Sequence, residues 1–168
     1  MRIALRSDRS IGPLLSSGGS MNRRNVILLV EDQADDVELA LRAVRRSNPH
    51  NELVVAGDGV EALDYLLGTG SHAGQEPKAT PDLILLDLAL PRMGGLAVLR
   101  RLRAEERTRR IPIVILTGTR EERAVVSSHD LGANRFLAKP IDVAKFAAAA
   151  LQLGLYRLIA DVPGDGAR

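Results

Sequence analysis

Five short apolar runs are the feature that most limits how this chain can fold. Each run has three to five residues without a polar side chain, and the runs lie at residues 26–30, 53–56, 83–86, 113–116 and 136–138. Unbroken apolar runs of this length are typical of strands that are buried on both faces. Their starts are 27, 30, 30 and 23 residues apart. This spacing predicts strand–helix–strand units, and therefore a parallel sheet with crossover helices.

The segments between the runs carry the apolar spacing of amphipathic helices. In chain order, the residues that mark the first four helices are Val37, Ala40, Leu41 and Val44, then Val60, Leu63 and Leu66, then Leu96, Leu99 and Leu102, then Thr119 with Glu122. Asp58 is interpreted as the N-cap of the second helix. We predict an α/β fold in which five helices cover a doubly wound, five-stranded parallel sheet.

The last helix is predicted to run from about Val143 to beyond Leu158, after an N-cap at Asp142. Its inward stripe is expected to contain Val143, Phe146, Ala147, Ala150 and Leu151. A second apolar stripe, expected to face outward, contains Ala149, Leu153, Tyr156 and Ala160. Such a stripe either forms a homodimer contact or packs on the edge of the sheet.

The chain length of 168 residues corresponds to one domain, at roughly 100 to 200 residues per domain. We expect the folded domain to cover residues 22–160, with a disordered tail at 161–168 and no second folded output domain. Residues 1–21 are interpreted as a disordered leader or a start-site artefact, because Met21 stands directly before the first strand. They lack the apolar region of a signal peptide, and an Arg- and Ser-rich targeting peptide is the alternative.

The net charge of +2 gives no argument for a nucleic-acid partner, because three arginines against one aspartate in residues 1–20 account for all of it. The arginines between residues 100 and 110 alternate with Glu105 and Glu106, which favours a solvated helix face. The chain contains no cysteine, so thiol chemistry and disulfides are excluded. No apolar run is long enough to span a membrane. We expect a cytoplasmic protein without a nucleic-acid or membrane partner.

Polar side chains follow the apolar runs at the points where the predicted strands end. Glu31 and Asp32 follow the first run, Asp87 the third, Thr117 the fourth and Lys139 the fifth. In a doubly wound sheet, ligands bind at the carboxyl ends of the strands. Three carboxylates that converge there repel one another unless a proton or a cation lies between them. A hard divalent ion with oxygen ligands resolves this repulsion, and Mg²⁺ is the predicted ion. Thr117 and Lys139 suit an incoming anion such as a phosphoryl group.

The segments that contain these residues resemble the receiver domain of bacterial two-component response regulators. The matching segments are residues 27–32, 87–95, 116–118 and 131–140, and the resemblance covers about residues 22–158 in the order of the family. It implies a flavodoxin-like fold with strand order 2-1-3-4-5. It also implies that the protein is a phosphoacceptor and not an enzyme that acts on other substrates. It would catalyse only its own phosphorylation and dephosphorylation.

The resemblance assigns a role to each strand-end residue. Asp87 would accept a phosphoryl group from a sensor histidine kinase, while Glu31, Asp32, Asp87 and the backbone carbonyl of Ala89 would hold Mg²⁺. Thr117 and Lys139 would bind phosphoryl oxygens. Thr117 and Phe136 would form the conformational switch, and the Lys139–Pro140 bond would be cis. The signal would leave through the fourth helix, the fifth strand and the last helix.

Two positions depart from the pattern of the family. Gly94 stands where the family often has Asp, with little expected consequence for the chemistry. Ala89 lacks a polar side chain beside the acceptor, which is expected to affect the rate of dephosphorylation. Because an aspartyl phosphatase needs a general acid at the position of Ala89, that class of enzyme is disfavoured.

A narrower resemblance links the chain to single-domain regulators associated with bacterial phytochromes. It depends on the long loop at residues 68–81 and on the extended last helix. It implies a bacteriophytochrome as the sensor kinase. The outward stripe favours a homodimer through the fourth helix, fifth strand, last helix and C-terminal extension. The alternatives are an intermediate carrier in a phosphorelay, a phosphate sink and, more remotely, a flavodoxin-like FMN-binding protein. The acidic end of the first strand opposes binding of an FMN phosphate.

Overall fold

The apolar runs form a central sheet, to which one short edge strand is added. The computed structural model describes residues 4–5, 24–70, 73–74, 80–128 and 132–159, with side chains except at 4–5 and 125–128. The strands are β1 (Ala4–Leu5), β2 (Asn25–Val30), β3 (Asn51–Ala56), β4 (Leu83–Asp87), β5 (Ile113–Thr117) and β6 (Arg135–Ala138). The helices are α1 (Ala34–Ser47), α2 (Gly59–Leu67), α3 (Gly95–Ala104), α4 (Arg120–Ser128) and α5 (Val143–Gln152).

The five longer strands are parallel and lie in the order β3-β2-β4-β5-β6. When β2 to β6 are renumbered 1 to 5 in chain order, the order in the sheet is 2-1-3-4-5. The predicted fold is therefore confirmed. The short strand β1 was not among the predicted elements; it pairs antiparallel with β3 through Ala4 and Leu5. The leader predicted at 1–21 otherwise lies outside the described residues, as does the tail at 161–168. Both interpretations stay predictions.

Helices cover both faces of the sheet, which explains why the strands are continuously apolar. Successive side chains of a strand point to opposite faces. Leu28 therefore packs in one layer with Leu99 of α3, while Leu29 packs in the other with Val44 of α1 and Phe146 of α5. All five side chains are fully buried. With both faces closed to water, the ends of the strands are where the sheet can present polar groups to a ligand.

Two of the predicted helix N-caps are present. Asp58 accepts a hydrogen bond from the backbone N–H of Glu61 at 2.8 Å, and Asp142 accepts one from Lys145 at the same distance. Each bond satisfies a backbone donor that the first turn of a helix leaves free. In the described part of the chain, no helix combines the length and apolar character needed to cross a membrane.

The predicted length of the last helix is wrong. α5 ends at Gln152, and Gly154 adopts a left-handed conformation with φ 72°. Its N–H donates to Leu151 and that of Leu155 donates to Ala150, which is the Schellman closure of a helix. Glycine terminates the helix here because it reaches positive φ without the steric clash of a Cβ. The chain then forms a 3-10 turn over Tyr156–Leu158.

The predicted faces of this segment change with the early end of α5. Ala149, expected to face outward, is buried, whereas Leu151, expected to face the sheet, is 49% exposed. Tyr156 is 59% exposed but lies in the 3-10 turn and not on the helix. Ala160 lies outside the described residues. The continuous outward stripe is therefore absent from the described helix, although two large apolar side chains remain exposed near its end.

Candidate functional site

Three carboxylates meet at the carboxyl ends of the neighbouring strands β2 and β4. The two strands are in register at Val30 and Leu86, so the residues that follow them emerge side by side. Each of Glu31, Asp32 and Asp87 offers an oxygen atom, and these atoms all lie within 4.8 Å of one another. Glu31 and Asp87 are buried, whereas Asp32 is exposed. The fold therefore brings the three acidic residues identified in the sequence into one pocket that is open to solvent at Asp32.

Lys139 places its ammonium group against this acidic pocket. Its Nζ lies 2.7 Å from Glu31 Oε2 and 3.1 Å from Asp87 Oδ2. A third carboxylate, Asp36 Oδ2, lies 3.2 Å away. The backbone N–H of Lys139 donates to the Thr117 carbonyl at 2.8 Å, so the end of β5 helps to fix the lysine. The Lys139–Pro140 bond is cis, as the resemblance implied.

Asp36 is a site residue that the sequence analysis missed. It lies in the first turn of α1, which begins shortly after Glu31 and Asp32. Side chains in the first turn of that helix face the carboxyl edge of the sheet, so the position of the helix start could have indicated it. Because Asp36 is also within reach of Lys139, three carboxylates contact one ammonium group. Asp32 adds a fourth carboxylate to the pocket, which therefore keeps a formal negative charge.

Burial and the neighbouring charges shift the proton affinities of the central ion pair. Burial raises the pKa of Glu31 to about 7, although the hydrogen bond from Lys139 acts in the opposite direction. Burial by itself lowers the pKa of Lys139, but the hydrogen bond to Glu31 and the charge of Asp87 outweigh it and raise the pKa. Lys139 is therefore a permanent cation, while Glu31 gains or loses its proton near neutral pH.

The acidic cluster fits a divalent metal ion. Carboxylate oxygens are the donors that hard divalent cations prefer, and three such groups within 4.8 Å repel one another unless a positive charge is shared between them. Lys139 compensates only part of this negative charge. The excess of carboxylates, together with the exposure of Asp32 to solvent, gives a cation both a binding site and a path of entry.

Thr117 and Phe136 lie on the adjacent strands β5 and β6, and Thr117 is at the strand end that binds the Lys139 backbone. Thr117 ends β5 and is buried, and its hydroxyl donates to the Leu137 carbonyl of β6 at 3.4 Å. Phe136 is partly buried in β6, where the guanidinium carbon of Arg123 lies 5.9 Å from its ring centroid. The aromatic side chain therefore rests under a cation of α4, a contact that the sequence analysis did not predict.

The loop between β4 and α3 follows Asp87 and borders the pocket. The backbone N–H of Ala89 donates to Asp87 Oδ1 at 3.2 Å, which places the Ala89 backbone beside the Asp87 carboxylate. A Cβ at Gly95 would collide with the Asp87 carbonyl oxygen. Gly94 is the N-cap residue of α3 and makes no side-chain cap. Only glycine at position 95 allows α3 to begin this close to the end of β4.

The same loop contains Arg92, which the sequence analysis did not single out. Arg92 has φ 62°, the one positive φ among the described non-glycine residues. Its guanidinium donates to Asp58 Oδ2 through Nε at 2.9 Å and through Nη2 at 2.6 Å. The interpretation of Asp58 as a helix cap is confirmed but incomplete, because one of its oxygens caps α2 and the other binds Arg92. Nothing in the local sequence distinguishes Arg92 from an ordinary surface arginine.

Comparison with known proteins gives a family match over most of the chain. The sequence model of the response regulator receiver domain family matches residues 27–151 of this chain. The response regulator Rcp1 from Synechocystis sp. is similar to this chain, with 37% identity over 118 residues, which are 70% of this chain and 78% of Rcp1.

Solved structures with the same fold include regulators associated with phytochromes. The bacteriophytochrome response regulator RtBRR is 45% identical, with a TM-score of 0.72 over 77% of this chain and 78% of that one. The phosphorylated cyanobacterial phytochrome response regulator RcpA is 32% identical, with a TM-score of 0.65. The match covers 80% of this chain and 94% of RcpA. The Mn²⁺-bound form of Rcp1 is 30% identical, with a TM-score of 0.62. The match covers 86% of this chain and 97% of Rcp1.

Proposed function

Because this chain belongs to the response regulator receiver domain family, we propose that it accepts a phosphoryl group from a sensor histidine kinase on Asp87, in a Mg²⁺-dependent reaction. The observation that carries the proposal is the placement of Asp87, which lies 3.1 Å from Lys139 Nζ and shares a pocket with Glu31 and Asp32. Positioning and charge neutralisation supply most of the catalysis in phosphoryl transfer. The protein is a phosphoacceptor that catalyses only its own phosphorylation and dephosphorylation.

The transfer begins with an oxygen of the Asp87 carboxylate. This oxygen attacks the phosphorus of the kinase phosphohistidine, so that an O–P bond forms while the N–P bond breaks and its electron pair stays on the histidine. Glu31, Asp32, Asp87 and the carbonyl of Ala89 would hold Mg²⁺, which would supply positive charge to the phosphoryl oxygens. Lys139, whose Nζ lies 3.1 Å from Asp87 Oδ2, supplies a second positive charge. Hydrolysis of the acyl phosphate by water then restores the carboxylate.

The conformational signal starts at Thr117. Its hydroxyl exchanges the long hydrogen bond to the Leu137 carbonyl, 3.4 Å, for a bond to a phosphoryl oxygen. The space that it vacates admits Phe136, whose inward rotamer has no hydroxyl to anchor it and depends on packing alone. Phosphorylation therefore biases a two-state repacking. The surface that changes contains α4, β6 and α5.

Acetyl phosphate and Mg²⁺ test the central proposal directly, with intact mass as the measurement. The wild type gains one phosphoryl group, Asp87→Asn gains none, and Asp35→Asn, an exposed acid of α1, is labelled like the wild type. Omission of Mg²⁺, or its removal by EDTA, abolishes labelling. Labelling that persists in Asp87→Asn would contradict the assignment of the acceptor.

The proposed kinase partner is a bacteriophytochrome. The support is the similarity to RtBRR, a bacteriophytochrome response regulator, and to RcpA, a phytochrome response regulator. The matched experiment compares the initial rate of transfer from phosphorylated phytochrome kinases with that from kinases without a phytochrome sensor. Preference for the phytochrome kinases at equal concentration supports the link, and equal rates from both groups contradict it.

The proposed output is a homodimer that forms through α4, β6 and α5 together with the segment after α5. The support is the exposure of Leu151 and Tyr156, two large apolar side chains at the end of this surface. Sizing of the protein with and without a beryllofluoride mimic of the phosphoryl group measures the dimer. A double substitution, Leu151→Ser with Tyr156→Ser, is expected to give a monomer. Wild-type protein that is monomeric in both states would reject the dimer.

A further inference from the structure

The ion pair between Arg92 and Asp58 joins the loop after the acceptor to a different helix. Arg92 lies in the β4–α3 loop, five positions after Asp87, whereas Asp58 precedes α2. Two nitrogens of the Arg92 guanidinium donate to Asp58 Oδ2, at 2.9 Å and 2.6 Å. The Asp58 side chain is fully buried, while that of Arg92 is 55% exposed. A charged carboxylate that is buried completely requires such a partner.

Asp58 is held in place independently of Arg92. Its other oxygen, Oδ1, accepts the hydrogen bond from the Glu61 N–H that caps α2, at 2.8 Å. Glu61 Oε2 in turn accepts a hydrogen bond at 2.9 Å from the backbone N–H of Gly57, the residue before the N-cap. The carboxylate that receives Arg92 is therefore fixed at the start of α2 by a contact that does not depend on the loop.

The loop has little freedom to move around this contact. A Cβ at Gly59, the first residue of α2, would approach the Met93 carbonyl oxygen to 2.8 Å and collide with Val98 of α3. Arg92 itself adopts φ 62°, a conformation that is unfavourable for a residue with a Cβ. Such strain persists only where surrounding contacts enforce it. The ion pair to Asp58 is a contact of this kind.

We propose that Arg92 is a positioning residue, which fixes the β4–α3 loop against α2 and thereby holds the Ala89 backbone beside Asp87 for the bound cation. The inference deepens the proposed function and rests on it. Asp87 Oδ1 already accepts the Ala89 N–H at 3.2 Å, so the loop backbone and the acceptor move together. A loop that is fixed in advance loses less conformational freedom when the cation binds. The ion pair therefore tunes metal affinity without touching the reacting atoms.

The test measures Mg²⁺ affinity and the kinetics of phosphorylation in four variants. Mg²⁺ is titrated by calorimetry, and phosphorylation by acetyl phosphate is followed as a function of Mg²⁺ concentration. The variants are Arg92→Ala, Arg92→Lys, Arg92→Gly and, as the matched control, Arg42→Ala, which removes an exposed arginine from its ion pair with Glu38.

Arg92→Ala is expected to weaken Mg²⁺ binding about ten-fold, the lower end of the effect of residues that orient metal ligands. The rate at saturating Mg²⁺ stays within about two-fold of wild type, because Arg92 does not contact the reacting atoms. The Mg²⁺ affinity of Arg92→Lys is expected to lie between those of the wild type and Arg92→Ala, since an ammonium cannot reproduce the two-nitrogen contact. Arg42→Ala binds Mg²⁺ like the wild type.

Arg92→Gly separates positioning from stability. Glycine relieves the strain of the positive φ, so the melting temperature falls less than in Arg92→Ala, but the ion pair is still absent and Mg²⁺ binding is as weak. Wild-type affinity in Arg92→Ala or Arg92→Gly would overturn the inference while the proposed function stands. Wild-type protein that binds no Mg²⁺ would overturn the proposed function and this inference with it.

Discussion

Lys139 Nζ lies 2.7 Å from Glu31 Oε2, although the strands that precede these residues, β6 and β2, are separated in the sheet by β4 and β5. The long side chain of the lysine therefore spans the carboxyl edge of the sheet. It also contacts Asp87, which lies between the two positions. Glu31, Asp87 and the ammonium group of Lys139 therefore form one electrostatic unit, in which a change at one residue alters the others.

Replacement of Lys139 by Met tests this unit in the metal-free protein. The substitution keeps the apolar stem but leaves Glu31 and Asp87 buried with no ammonium partner. Loss of one member of a buried ion pair costs on the order of 3 kcal/mol, and we expect this loss in the free energy of unfolding at pH 8. At pH 5.5 the loss is smaller, because protonation of Glu31 removes one of the opposing charges. Urea denaturation in EDTA measures both values.

Lys145→Met is the matched control for this substitution. Lys145 lies near Lys139, but its Nζ donates to the carbonyl oxygens of Ala138 and Pro140 and not to a carboxylate. Its replacement should lower the free energy of unfolding only slightly and equally at both pH values. An equal loss at pH 8 and pH 5.5 in Lys139→Met would contradict the electrostatic origin of the effect.

The raised pKa of Glu31 predicts how stability depends on pH. The folded protein keeps the Glu31 proton up to about pH 7, whereas the ordinary value of this carboxyl is 4.5. Between these pH values the folded state binds more protons than the unfolded chain, so this group lowers the free energy of unfolding as the pH rises, by at most about 1.4 kcal/mol per pH unit. Glu31→Gln removes this contribution. Thermal melts in EDTA between pH 4.5 and pH 8 compare the two proteins.

Mg²⁺ affinity also depends on the Glu31 proton, but it is expected to rise with pH, whereas the contribution of Glu31 to the free energy of unfolding falls. A cation requires the Glu31 carboxylate, so Mg²⁺ affinity is expected to increase from pH 6 to pH 8 in the wild type. Glu31→Gln binds more weakly and shows a flatter pH dependence. Calorimetric titration of Mg²⁺ at three pH values provides the measurement. A wild-type affinity that is constant over this range would show that Glu31 does not titrate at the metal site.

The residue pattern was sufficient to predict a parallel sheet and the acidic cluster, for a simple physical reason, whereas the order of the strands came from the family resemblance. Continuous apolar runs require strands buried on both faces, and polar side chains then collect at the strand ends. Glu31, Asp32 and Asp87 follow from this rule. Asp36 and Arg92 do not, because their roles depend on where a helix start and a loop lie relative to residues 103 and 34 positions away. The end of α5 was missed because the apolar spacing continues past Gly154, although a left-handed glycine stops the helix there.

The contact of Arg123 with Phe136 should hold the aromatic ring in its outer position before phosphorylation. A cation near an aromatic face contributes about 0.5–1 kcal/mol at an exposed site, so Arg123→Ala shifts the ring toward the inner position. Phe136 and Phe146 are the two phenylalanines of the chain, and 4-fluorophenylalanine therefore gives two ¹⁹F resonances. The Phe136 resonance of unphosphorylated Arg123→Ala should move toward its position in the phosphorylated wild type. Phe146 is fully buried in α5, so its resonance is the internal control and should stay unchanged. A Phe136 resonance that is unaffected by the substitution would contradict the prediction.

Arg103 should contribute strongly to the stability of the fold, although it belongs to an arginine-rich segment. Its guanidinium donates to the carbonyl oxygens of Gly132, Arg109 and Ile111 and to the side chain of Asn134. Burial lowers its pKa, but the group stays charged. We expect Arg103→Ala to lower the free energy of unfolding by about 2–3 kcal/mol, since several hydrogen bonds to a charged group are lost.

Arg100→Ala provides the control for Arg103, because Arg100 is exposed on the same helix. Surface substitutions of this kind change stability by about 0.5 kcal/mol or less. Urea denaturation of the two variants measures the difference. Equal stability of the two variants would show that the four hydrogen bonds of Arg103 add nothing beyond the interactions of a solvated arginine.

Asn51 should fix the segment after α5 to the amino end of the sheet. Its side chain donates to the carbonyl oxygens of Val44 and Leu158, at 3.0 Å and 2.9 Å, and accepts a hydrogen bond from Asn25 at 3.0 Å. Asn51→Ala leaves the buried Leu158 carbonyl without this donor and is expected to cost about 2 kcal/mol of unfolding free energy. The loss should also be local, since the bonds connect residues 155–159 to the domain.

Hydrogen exchange distinguishes a local release of this segment from a general loss of stability. In Asn51→Ala, the amides of Leu158 and Ile159, which donate to Leu155 and Tyr156, should exchange at least ten-fold faster under native conditions. Amides of β4 and β5 open only with the whole domain, so their protection should fall only by the factor that the lost unfolding free energy gives. His50→Ala, an exposed neighbour, should change neither group. Faster exchange in the strands without faster exchange at Leu158 would mean that Asn51 supports the sheet and not the C-terminal turn.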